Sequence, residues 1–188
     1  MKYLLVIFSL TFLLSSCTLV YFDSPQPPFG DELNGFPDSF NGSYFSDEDT
    51  LEILGDHIEY TDGMFKGFTD EPLISNDLKG LIFKQDGDLL VVNFPSKRDD
   101  DKTYYLLILL EIKNGDIHFR SAYEDKDFGF HYDKPIELEG GIKIKYKDKK
   151  ENEEQKIDSY ILSPTKKDWT QIKDILMQIK PEIMKRVR

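Results

Sequence analysis

Histidine, aspartate, glutamate and glycine-rich motifs carry most protein chemistry, and this chain places them in ways that complete no reactive pattern. Its three histidines, His57, His118 and His131, lie far apart and match no zinc-ligand spacing. His118 alternates with Ile117 and Phe119, so it shares one side of an expected strand with Arg120, and the two read as a polar pair facing solvent. Carboxylates cluster at 47–49, at Asp86 and Asp88, at 99–101 and at 124–127. A calcium loop needs oxygen ligands at alternating positions and a closing bidentate Glu, and no cluster completes that pattern; 99–101 comes nearest. There is no Gly-x-Ser-x-Gly, no P-loop and no Gly-x-Gly-x-x-Gly. Any chain with 35 acidic residues offers carboxylate pairs, so a glycosidase-type pair has no specificity here. The expectation is no catalytic residue, no metal site, no cofactor and no enzymatic activity. The candidate binding residues are aromatic: Phe65 and Phe68 in GMFKGF, and Phe128, Phe130 and Tyr132 in DFGFHY. Aromatic side chains on aperiodic, glycine-hinged loops either plug the end of a β-structure or form a contact patch.

The one cysteine, Cys17, stands at a particular place. Lys2 precedes an apolar run over residues 3–14, broken only by Ser9 and Thr11. That run is too short for a membrane-spanning helix and has the length of a signal-peptide core. Leu14-Ser15-Ser16-Cys17 then resembles the bacterial lipobox. The resemblance implies cleavage after Ser16, a diacylglycerol on the Cys17 sulfur and a further acyl chain on the new amine. Two or three chains make a stable anchor where one does not. With no second cysteine, a disulfide within the chain has no partner for Cys17.

The segment after Cys17 contains Pro25, Pro27 and Pro28, and reads as an extended spacer between membrane and domain. Thr18 occupies the position where Asp marks inner-membrane retention in some Gram-negative lipoproteins, and the acidic surface-export cluster of Bacteroidota-type lipoproteins is missing. The resemblance therefore implies the cell envelope, the outer membrane before the inner, and a periplasm-facing domain. DSPQP followed by FPDSFNGSY resembles the start of uncharacterised Bacteroidota-type lipoproteins, which adds an origin and no activity. Asp49-Thr50-Leu51 is similar to the O-glycosylation motif of that group and would place sugar on Thr50.

Removing residues 1–16 removes Lys2 alone among charged groups, so the formal net charge of −11 becomes −12. Such a balance argues against nucleic acid and would attract a basic protein partner. Three two-residue turn signals follow one another. Gly55-Asp56 separates 51–54 from 57–61, Asp86-Gly87 separates 81–85 from 89–94, and Asn114-Gly115 separates 104–113 from 117–123. A fourth pair, 142–147 and 157–162, flanks a charged tip. Residues 104–112 are apolar on both faces and mark a central, doubly covered strand. Trp169, Ile172, Leu176 and Ile179 recur at helical spacing behind a Thr165–Asp168 capping signal, and Pro181 ends the run.

These elements predict an all-β domain with one C-terminal helix: an antiparallel meander of eight or nine strands that resembles a lipocalin-like barrel or else a curved open sheet. The expected organisation is a signal peptide at 1–16, a lipid-anchored tether at 17–38, and one domain at 39–188 ending in an amphipathic helix at 165–180. The expected role is a membrane-anchored, non-enzymatic accessory domain that binds another envelope protein. The alternative is a barrel that holds a small apolar ligand. What fills the interior separates the two.

Overall fold

The computed structural model describes residues 18–46, 50–55, 57–60, 80–98, 102–122, 136–146 and 157–187. The elements in chain order are β1 (Leu19–Phe22), β2 (Glu32–Leu33), a 3-10 turn (Asp38–Phe40), β3 (Gly42–Phe45), β4 (Thr50–Leu54), β5 (His57–Tyr60) and β6 (Ile82–Asp86). They continue as β7 (Leu89–Lys97), β8 (Thr103–Lys113), β9 (Asp116–Ala122), β10 (Ile142–Tyr146), β11 (Ile157–Leu162), α1 (Lys166–Leu176) and β12 (Glu182–Arg186). Among the described residues the fold is mostly strand with a single α-helix, and the sheet curls into an antiparallel half-barrel.

The turn chemistry sets the local pairings. Asn114 and Gly115 both take positive φ, 56° and 91°, which lets Lys113 pair with Asp116 across a two-residue loop. In the β6–β7 hairpin Asp86 pairs with Leu89, so the loop is Gly87-Asp88, one residue later than the turn signal suggests. The central strand is β8. Its inward side chains, Leu106, Ile108 and Leu110, join the core on the concave face, and Leu107 and Leu109 join a second core on the convex face. The two-sided apolar pattern of this strand is thus satisfied by two separate layers.

Consecutive strands β6 to β9 form a meander, and β3, β4 and β5 form another. Two strands outside the hairpin signals join them. The C-terminal β12 pairs with β9 on one side and β3 on the other. The N-terminal β1 lies between β8 and β11, and is parallel to β11. With β2 and β3 this makes twelve strands among the described residues, against the eight or nine expected. Among the described residues the sheet stays open, with β5 and β10 at the ends of its main path.

Residues 18–38, most of the expected tether at 17–38, are therefore not a free spacer. Val20 and Phe22 have no exposed surface, Tyr21 is buried, and Phe36 reaches the concave core. The reason is compositional: Leu19-Val20-Tyr21-Phe22 is a continuous apolar run of strand-forming residues, and its long-range partner β11 covers one edge while β8 meets the other.

Helix α1 lies on the convex face. Trp169, Ile172 and Leu176 pack on Val20, Phe22, Leu107 and Leu109, in agreement with the amphipathic pattern. The helix starts in a complete capping box: Thr165 accepts from the Asp168 N–H, and Asp168 accepts from the Thr165 N–H.

Candidate functional site

The concave face is where a half-barrel would hold a ligand, and here it is filled from within. On the segment between β2 and β3, Phe36 turns inward onto Phe83 with ring centroids 5.0 Å apart, and Phe40 packs on Phe36 at 6.1 Å. Polar bonds fix this plug at three points. The Tyr44 hydroxyl donates to the Phe40 carbonyl at 2.9 Å, the Phe36 N–H donates to the Gly55 carbonyl at 3.3 Å, and the Gly55 N–H donates to Asn41 Oδ1 at 2.8 Å. Leu51, Ile53, Ile58, Phe94, Tyr104 and Phe119 close the rest of that core. Outside the plug lies an open groove of about 370 Å³ between Leu33, Asn34, Pro37, Gly55 and Gln85. Its lining carries no charged side chain and offers two amides, Asn34 and Gln85, the latter bonded through Nε2 to the Gly87 carbonyl at 2.8 Å.

Polar groups elsewhere on the sheet act as clamps. Asp168 is buried and accepts backbone N–H bonds from Glu139 at 2.7 Å, Gly140 at 2.9 Å and Thr165 at 2.8 Å. Burial by itself would raise its pKa; the backbone N–H bonds from Thr165, Gly140 and Glu139, with the Thr165 hydroxyl, outweigh it and hold the value at about 2. Asp86 at the β6–β7 turn accepts from the Trp169 indole at 3.0 Å and from Lys173 Nζ at 2.7 Å. Burial pushes its carboxyl up, but Lys173 and Trp169 bring it below the usual range. Arg98 bonds the Tyr21 hydroxyl at 3.0 Å and pairs with Asp158, joining β1 and β11 to the end of β7.

Asn93 has no exposed surface and works as a backbone substitute. Its Oδ1 accepts from the Gln26 N–H at 2.6 Å, and its Nδ2 donates to the Gln26 carbonyl at 2.9 Å and the Ile82 carbonyl at 3.0 Å. Arg120 corrects the expected solvent-side pair with His118. It is only 6 % exposed, with Nε donating to the Ile179 carbonyl at 3.0 Å and Nη1 facing Glu111 at 3.5 Å. The chain leaving α1 covers it, a long-range event that strand alternation does not register.

The structure places the expected site residues in different parts of the chain. Cys17, Phe65, Phe68, Phe128, Phe130 and Tyr132 lie outside the described residues, as do His131 and the acidic clusters at 47–49, 99–101 and 124–127. Thr50 opens β4 on the exposed side, opposite Phe45. His118 is half-buried on β9. Among the described residues no group of three or more His, Cys, Asp or Glu is placed to hold a metal ion, and no helix is long and apolar enough to cross a membrane. The clamps at Asn93 and Asp168 are legible in the sequence only as far as the capping signal; nothing local marks the partners 67 and 28 residues away.

No protein-family model, no curated protein and no solved structure matches this chain.

Proposed function

We propose that the chain is a lipid-anchored, non-enzymatic domain of the bacterial cell envelope whose role is to bind another envelope protein. The observation that supports this most is the filling of the concave face. Phe36, Phe40, Phe83, Tyr44, Phe94 and Tyr104 occupy the volume that a barrel-bound apolar molecule would need. The polar clusters among the described residues, at Asp168, Asp86, Asn93 and Arg98, hold elements together, which fits a scaffold better than a reaction centre. The anchor rests on the lipobox resemblance at Cys17. Exposed apolar side chains at Phe45 and Leu54, on the wing of the sheet away from α1, offer contact area for a protein partner.

The test is affinity purification of the tagged, acylated protein from detergent-solubilised membranes, followed by mass spectrometry of co-purifying proteins and of extracted small molecules. A stoichiometric protein partner is the expected result. A reproducible apolar small molecule without any protein would sink this reading and favour a ligand carrier. In parallel, Cys17→Ser should release the protein from the membrane fraction.

A further inference from the structure

The structure changes what a lipid anchor at Cys17 would do. If 17–38 were a spacer, the domain would stand off from the bilayer. Instead β1 begins at Leu19, so a single residue, Thr18, separates Cys17 from the sheet. Two peptide units, each about 3.8 Å between Cα atoms, lead from Cys17 to Leu19, which leaves little slack for a stand-off. Whatever surface lies beside the start of β1 is then held at the membrane.

The register identifies that surface. Leu19 is level with Ser159 on β11, and Ser159 is level with Lys145 on β10. One step nearer the anchor, Tyr146 pairs with Ile157. Neighbouring strands are about 4.8 Å apart, so β10 runs about 10 Å from β1. The apolar residues of β10 start on the α1 side of the sheet, and their exposure increases toward the anchor. Ile142 packs on the convex core, Ile144 is 40 % exposed and Tyr146 is 51 % exposed. A tyrosine beside an aliphatic residue suits the headgroup boundary, where the ring is apolar and the hydroxyl stays wet. Lys143 and Lys145 alternate with them and project to the other face, where Lys145 Nζ sits 5.0 Å from the Tyr104 ring, so the α1-side face of this rim is left to the apolar residues.

We propose that the β10 rim, Ile144 and Tyr146, rests in the headgroup region of the bilayer that holds Cys17, so that the domain sits on the membrane with one fixed side down. This rests on the lipid-anchor reading given above. The occupant is a lipid surface, because the short link from anchor to β1 brings that surface to β10 whether or not a protein partner is present. The wing with Phe45 and Leu54 is left for the partner.

The experiment uses the full-length acylated protein in phosphatidylcholine vesicles doped with a nitroxide lipid. Acylation of Cys17 is checked first by mass spectrometry; an unmodified Cys17 removes the anchor reading and this inference together. Thioether-linked Cys17 does not react with maleimide, so Tyr146→Cys, Ile144→Cys or Asn34→Cys takes a fluorophore at one place. The expected result is several-fold stronger quenching at 146 and 144 than at 34, on the opposite branch of the sheet. Equal quenching at the three positions on acylated protein would overturn the orientation while leaving the anchor intact. Having both Ile144 and Tyr146 as label sites guards against one variant folding poorly.

Discussion

At the scale of single residues, the fold depends on a few positions that carry no reactive chemistry. Gly140 is the clearest. A Cβ there would lie 1.6 Å from the Ser163 carbonyl oxygen and 2.8 Å from its carbon, both backbone atoms that cannot swing aside. Gly140→Ala should therefore cost about 3 kcal/mol or prevent folding, as read by urea denaturation. Asp168 is the second. Its carboxylate satisfies three backbone N–H groups, so Asp168→Ala should destabilise by about 2–4 kcal/mol, and Asp168→Asn by less because one acceptor oxygen survives. The pH dependence follows from the depressed value. As pH falls through the ordinary carboxylate range the unfolded chain takes up the proton first, so the stabilisation is complete above pH 3.8 and is lost as pH falls toward about 2. Acid titration of the folded fraction should show this loss in the native protein and a shallower one in Asp168→Asn.

At the scale of elements, α1 and β1 are the two that most need their partners. The helix is held by its apolar face and by Asp86, which reaches it from the β6–β7 turn. Asp86→Ala leaves a buried indole N–H without its acceptor and should cost about 1–3 kcal/mol. The intrinsic fluorescence of Trp169, the one tryptophan, reports the same event: its emission should shift to the red if the helix loosens. β1 makes a larger difference. Deleting residues 18–22 removes the buried Val20, Tyr21 and Phe22 and uncovers an edge of β11. Each large apolar side chain contributes about 1.5–3 kcal/mol, so the loss rivals the whole stability of an ordinary domain. A truncated protein beginning at residue 39 should be aggregated or unfolded by circular dichroism, whereas a true spacer could be cut without effect.

At the scale of the whole molecule, the proposed anchor would put two wings of one sheet in different environments. One carries α1, β1, β11 and β10 near the proposed anchor, and the other carries β12, β3, β4 and β5. If the free wing binds a protein as proposed, the net charge of −11 over the full chain would attract a basic partner from a distance. Association with such a partner should weaken several-fold as ionic strength rises from low to physiological, measured by surface plasmon resonance on the partner recovered from membranes.

Much of this molecule is readable residue by residue. The turn pairs at Gly55, Gly87 and Asn114-Gly115, the doubly apolar β8, and the capped amphipathic α1 all follow from local rules: which residues tolerate positive φ, which alternate with period two, and which recur every three to four positions. The type of fold is determined at that level. The aromatic loops expected as binding surfaces lie outside the described residues, while the plug that fills the core comes from Phe36, in the stretch whose prolines read as spacer, and from Phe40 just after it. Only the tertiary structure decided the places of β1 and β12, the burial of Arg120, and the clamps made by Asn93 and Asp168. In each case the partner is tens of residues or more away, and the energy comes from apolar surface and backbone groups that meet only once the sheet has curled. A strand that completes another element's edge carries little signature of its own, so Leu19–Phe22 and Glu182–Arg186 became strands because β11, β9 and β3 were there to receive them.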